Sequence, residues 1–208
     1  MKDLQAATDR LFRDYGRHCQ APNEDTLFHF LNSLHSFSDK LKRHRKDGLH
    51  DSPNFIGLKA LRNLFHHEAE LLSKISVVTD FVQPVVVELS RVCLVDRSLI
   101  ERAAAGEAAQ AKKFKRTPGD VVGAFRWYGQ IVDIEPAVFN VAVDAYEAIK
   151  EVDVAPWSDA FQMFEESYEY ENENGFEHRV TGTISCHGGN VAELLSRMHE
   201  TTATRPIR

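Results

Sequence analysis

Residues 23–46 read NEDTLFHFLNSLHSFSDKLKRHRK, and their spacing decides the class of fold. Leu27, Phe30, Leu31, Leu34, Phe37 and Leu41 recur at intervals of three and four, which places them on one broad stripe of an α-helix. Asn23 stands where an N-cap belongs, because its short side chain can accept a hydrogen bond from an otherwise unpaired first-turn amide. At the far end Lys40, Lys42, Arg43, His44, Arg45 and Lys46 gather at the negative pole of the helix dipole, with Gly48 just beyond. Such a cluster is either a solvated helix cap or a basic surface for a phosphate backbone.

Upstream, Leu4, Ala7, Leu11 and Tyr15 make an amphipathic helix over residues 3–18, stopped before Ala21 and Pro22. Downstream, the polar loop 47–54 leads to a third helix over residues 55–74. Its core stripe is Leu58, Leu61, Phe65, Ala69 and Leu72, with Asn63, His67, Glu70 and Lys74 projecting the opposite way. His66 lies at the margin with Arg62, and Glu68 is placed to pair across the bundle. The Val-rich stretch 77–100 reads as a strand or a buried helix; its helical surroundings favour a helix after Pro84. A turn at Thr117, Pro118 and Gly119 divides the chain into a helical part, 1–116, and an elaboration, 117–208. The latter carries a helix over 136–152 and a shorter one over 157–164. The alternation of Tyr168, Tyr170 and Asn172 before Asn174-Gly175 predicts a β-hairpin over 168–184. Asn190 and Glu193 open a last helix. The fold class is therefore mainly α, with a C-terminal α+β elaboration.

The chain has 208 residues and a net charge of -6, unevenly spread. The first 75 residues hold seven of the ten histidines, with 12 Lys and Arg against 10 Asp and Glu, whereas residues 118–175 hold 2 basic and 13 acidic side chains. The N-terminal part can therefore meet an anion that the whole-chain charge would seem to repel. Cys19, Cys93 and Cys186 are far apart, which argues against a disulfide framework or a cysteine-rich zinc module and fits a reducing, cytoplasmic setting. No stretch approaches the roughly 18 apolar residues of a membrane span, and the start lacks a signal-peptide core, so no membrane association is expected. There is no P-loop, dinucleotide-binding glycine pattern, HExxH or serine elbow. Neither cofactor nor metal is expected, since Cys186 and His187 offer only two ligands. Trp127, Tyr128, Tyr168 and Tyr170 could stack bases, but their acidic surroundings favour core or protein-interface roles.

The chemistry concentrates in the third helix, at Arg62, Asn63, His66, His67 and Glu70. A fixed guanidinium can neutralise and orient phosphoryl oxygens, and an imidazole titrating near neutrality can move protons. RNA cleavage through the 2′-hydroxyl needs those two functions. The competing reading makes Arg62 a surface ion pair with Glu70 and the histidines ordinary polar surface.

Residues 61–67, LRNLFHH, resemble the signature of the HEPN superfamily, an arginine, a polar residue and a histidine after three more; the match falls on Arg62, Asn63 and His67. The preceding helix, around residues 28–37, is also similar to the long helix before that motif. The resemblance covers roughly the first 100 residues. It implies a bundle of four or five helices and a homodimer whose arginines and histidines line one shared cleft. It also implies a metal-independent endoribonuclease of toxin or antiviral-defence type, held in check by an antitoxin or other regulatory protein. In that setting Arg62 holds the scissile phosphate, His67 transfers protons and Asn63 positions its neighbours. His66, Lys42, Arg43, Arg45 and Lys46 would then contact RNA. Five residues turn a straight helix by about 140° beyond a full turn, so Arg62 and His67 do not share a face in one copy, and the dimer becomes part of the mechanism. The alternative is a noncatalytic helical interaction or regulatory module.

Overall fold

The computed structural model describes residues 1–68, 76–78, 86–89, 91–110, 117–152, 154–185 and 191–203. It is a mainly α-helical bundle joined to a small mixed region with a four-stranded open sheet. Helices α1 (Lys2–Gln20) and α2 (Glu24–Leu41) form a hairpin whose second arm starts as expected. Asn23 Oδ1 accepts from the Thr26 amide at 2.9 Å, and the Asn23 amide donates to Thr26 Oγ1 at 3.0 Å. Helix α3 (Pro53–His67) starts on Ser52, whose hydroxyl accepts from the Phe55 amide at 3.1 Å. It is shorter than expected: Glu68 leaves the helical region, at φ -135° and ψ 70°. The placements of Ala69, Glu70, Leu72 and Lys74 fall outside the described residues.

The helix expected after Pro84 is replaced by strands β2 (Val86–Val87) and β3 (Val92–Asp96). β3 lies inside an antiparallel sheet with β1 (Ser76–Val78), β4 (Arg126–Tyr128) and β5 (Ile131–Asp133), in the order β1-β3-β5-β4. Its Cys93 and Val95 enter the main bundle core, while Val92 and Leu94 form a second small core with Ile131 and Met198. A strand buried on both faces shows no polar alternation, so its sequence resembles a buried helix; its β-branched residues suit the sheet better.

Beyond the sheet come α4 (Arg97–Gln110), α5 (Pro118–Val122), α6 (Glu135–Glu151) and α7 (Asp159–Asn174). Val138, Val141, Ala145 and Ile149 of α6 share one core with Leu4, Phe30 and Leu61. The hairpin expected over 168–184 is absent, and the short helix expected at 157–164 is only the start of α7, which runs to Asn174. Asn174-Gly175 stops that helix: Gly175 takes φ +69°, its amide reaches Asn172, and the Phe176 amide returns to the Glu171 carbonyl at 2.9 Å. Phe161, Phe164 and Tyr168 supply the helical spacing that the Tyr and Glu alternation obscured. Within 168–184 only Ile184 belongs to a strand; β6 (Ile184–Ser185) pairs with β2. The last helix is α8 (Val191–Ala203). No described helix is long and apolar enough to cross a membrane.

Candidate phosphate-handling site

Burying Leu27, Leu31 and Leu34 of α2 and Leu58, Leu61 and Phe65 of α3 leaves polar residues along the adjoining edges of these helices. Asn32 and His35 lie three residues apart on α2, and Arg62 and Asn63 lie on α3. Arg62 Nε donates to Asn32 Oδ1 at 2.9 Å, and Arg62 Nη1 donates to Asn63 Oδ1 at 3.3 Å. Asn32 is itself oriented, because its Nδ2 donates to the Phe28 carbonyl at 3.0 Å and so turns its oxygen toward Arg62. Arg62 is thus half-buried and fixed by two neutral amides.

Other arginines are neutralised by carboxylates: Arg91 by Glu135 at 2.6 Å, Arg102 by Glu68 at 2.5 Å and Arg179 by Asp144 at 2.8 Å. Among the described residues Arg62 has no such ion pair. A guanidinium that is oriented without being neutralised retains its capacity for an anion. His35 joins the cluster. Its Nδ1 lies 3.4 Å from Asp39 Oδ2. Burial lowers its pKa, and Arg62, Lys59 and Lys42 push the same way against the opposing Asp39. It is a neutral imidazole near neutral pH, able to accept a proton. Lys59 is held by the buried Glu107 carboxylate at 2.6 and 2.8 Å.

His66 and His67 are the last two residues of α3, both exposed, with ring centroids 5.6 Å apart. Among the described residues no hydrogen bond joins His67 to Arg62. One copy therefore assembles Asn32, His35, Arg62 and Asn63, with the two imidazoles at the helix end. The basic tract lies elsewhere. Lys42 follows Asn32 by ten positions, about 15 Å along the helix. Lys42 caps α2 and lies 3.5 Å from Asp39. Arg43 reaches Asp3 at 3.6 Å, Arg45 reaches Asp51 at 2.5 Å and Glu151 at 3.3 Å, and Lys46 is exposed. These pairs tie the end of the α2 hairpin to α1 and α6.

Glu68 pairs across to α4, as its position suggested, whereas Glu70, Cys186 and His187 fall outside the described residues. Three of the four candidate stacking aromatics are tied internally. Trp127 Nε1 donates to the Val122 carbonyl at 2.9 Å, Tyr128 to the Gly182 carbonyl at 3.1 Å and Tyr168 to Glu147 at 3.1 Å.

A second polar cluster, largely buried, gives no local signal in the sequence. Glu135 and His18 are fully buried, with His18 Nε2 3.5 Å from Glu135 Oε2 and His18 Nδ1 3.0 Å from Thr26 Oγ1. Arg91 Nε donates to Glu135 at 2.6 Å, and its other nitrogens reach the Cys19 carbonyl and thiol at 3.3 Å. Asp133 accepts from the Cys93 and Glu135 amides at 2.9 and 3.0 Å, and burial raises its pKa to about 7. Largely buried, the cluster clamps the end of α1 to the junction of sheet and α6. No family model matches this chain, and neither the curated proteins nor the solved structures yield a match.

Proposed function

We propose that the chain is a metal-independent endoribonuclease of toxin or antiviral-defence type, working as a homodimer whose cleft is lined by Arg62 and His67 of both copies. The carrying observation is Arg62, aimed by Asn32 and Asn63 and without a carboxylate partner among the described residues, with exposed imidazoles at the end of the same helix. In this reading, Arg62 binds the non-bridging oxygens of the scissile phosphate and stabilises the charge that builds on them. One imidazole takes the proton of the 2′-hydroxyl as its oxygen bonds to phosphorus. A second imidazole returns a proton to the 5′-oxygen as the P–O5′ bond breaks, which leaves a 2′,3′-cyclic phosphate. Neutral His35 beside Arg62 is the acceptor of this pair, and His67 of the other copy is the donor, so each site combines Arg62 and His35 of one copy with His67 of its partner. Asn63 positions Arg62, and His66 adds a contact for RNA. A basic-to-neutral surface of this kind would be covered by a regulatory protein when silent.

The test is incubation of the purified chain with RNA in a chelator. The reading expects cyclic-phosphate ends, lost in both Arg62→Ala and His67→Ala. A folded dimer that cleaves no RNA would instead support the noncatalytic interaction module, and cleavage surviving both substitutions would remove the site.

A further inference from the structure

A groove of about 480 Å³ runs between α1 and α7, sharing no lining residue with the Arg62 cluster. Tyr15, Gly16 and Cys19 line it from α1, and Met163, Ser167 and Tyr168 from α7. Gly16 sits inside a 19-residue helix, where glycine costs about 0.5–1 kcal/mol relative to alanine. Nothing among the described residues requires it, since a Cβ there would meet no atom of theirs within 4 Å. Its missing side chain opens the floor of the groove.

The α7 wall is patterned. Asp159, Glu166 and Glu173 recur every seven residues along one exposed edge. Met163 and Tyr170 recur at the same interval beside them, 62% and 61% exposed. Trp157, 75% exposed, stands at the N-terminal end of this stripe. Helix α7 carries six acidic residues and no basic one. Glu165, Glu169 and Glu171 are bound to Lys150, Tyr146 and His178, so the rail of Asp159, Glu166 and Glu173 is the part turned outward.

We infer that this groove docks a basic amphipathic α-helix of a partner protein. A seven-residue recurrence is what a helix packed alongside presents and reads. Its apolar anchors would enter over Gly16 and against Met163 and Tyr170, while its lysines and arginines meet the rail. The rail spans about 21 Å, which calls for roughly four turns of partner helix. An RNA strand or an anionic membrane would be repelled by the same charges, and a second copy would bring a second acidic α7 against the first.

The test is fluorescence anisotropy of the full chain with a labelled synthetic helix of fifteen residues, leucine every third or fourth position and Lys or Arg elsewhere. A control peptide carries Glu in place of the cations. The basic peptide should bind, the acidic one should not, and added salt should weaken the complex. The triple variant Asp159→Asn, Glu166→Gln, Glu173→Gln should lose at least about tenfold in affinity, as should Gly16→Trp, which fills the floor. The exposed rail substitutions leave the core untouched, so they decide the question even where Gly16→Trp disturbs α1. Equal binding of both peptides, or unchanged binding by the rail variant, overturns the inference. So does sedimentation showing a dimer that Gly16→Trp abolishes, because the groove would then belong to a second copy.

Discussion

Asn32→Asp changes the group that aims Arg62 while keeping its size. The Asn32 oxygen already accepts from Arg62 Nε at 2.9 Å, so a carboxylate in its place retains the geometry and adds a charge. For the fold the effect is small, because a half-exposed ion pair is worth about 0–1 kcal/mol. For an anion on the open edge of the guanidinium it is large. At about 4 Å and an effective dielectric of about 20 the attraction of Arg62 is about 4 kcal/mol. A carboxylate about 6 Å from the same anion opposes it by about 3 kcal/mol, roughly a hundredfold in affinity. The assay pairs thermal unfolding with anisotropy of a 2′-O-methyl RNA, which cannot be cleaved by this chemistry. A melting temperature near that of the unsubstituted chain with a hundredfold loss of binding is expected. Unchanged RNA affinity would refute the view of Arg62 as an anion receptor.

Acid titration should expose His35, whose pKa is lowered by burial and by Arg62, Lys59 and Lys42 against Asp39. The unfolded chain takes up this proton first, so stability falls as pH drops below about 6.5, and His35→Gln should lose less in denaturant midpoints over that range. Asp133 has the opposite sign: raised by burial to about 7, it holds its proton in the fold, so stability drains as pH rises from about 4 to 7. Asp133→Asn should flatten that slope in the same measurement, and an unaltered slope would contradict the assignment. Glu135→Gln leaves Arg91, whose side chain is only 11% exposed, without its carboxylate, and should cost about 3–5 kcal/mol in urea unfolding.

The helices that face water on one side were legible because their stripes and caps are local. Asn23 and the Leu27 to Leu41 stripe show this, and α6 does so to within a residue at either end. β3 was not legible: buried on both faces, it offers valines without a polar period, and only pairing with β1 and β5 distinguishes strand from helix. Asn174-Gly175 failed for a different reason, since the same dipeptide serves a hairpin turn and a left-handed helix stop; the tertiary burial of Phe161 and Tyr146 selects the stop. At the candidate site, Arg62, Asn63 and His67 were visible as a motif. Asn32 and His35 were not, because their relation to Arg62 spans two helices and depends on which edges adjoin. The i to i+3 spacing of Asn32 and His35 was the available signal. In the basic tract, Arg43 pairs with Asp3 and Arg45 with Asp51 and Glu151, partners that the composition of the tract does not reveal.

In the proposed dimer, phosphate chemistry is performed by Arg62 and His67 meeting across two copies. Mixing the Arg62→Ala and His67→Ala chains under subunit exchange tests this pairing, read as the rate of cyclic-phosphate release from RNA in a chelator. Each variant alone should be inactive. In the mixture about half the dimers are hybrid, each with one intact Arg62 and His67 pair, so about a quarter of the original rate should return. A mixture as inactive as its components, beside an active original chain, would contradict a composite site, and a chain that cleaves nothing would contradict the nuclease itself.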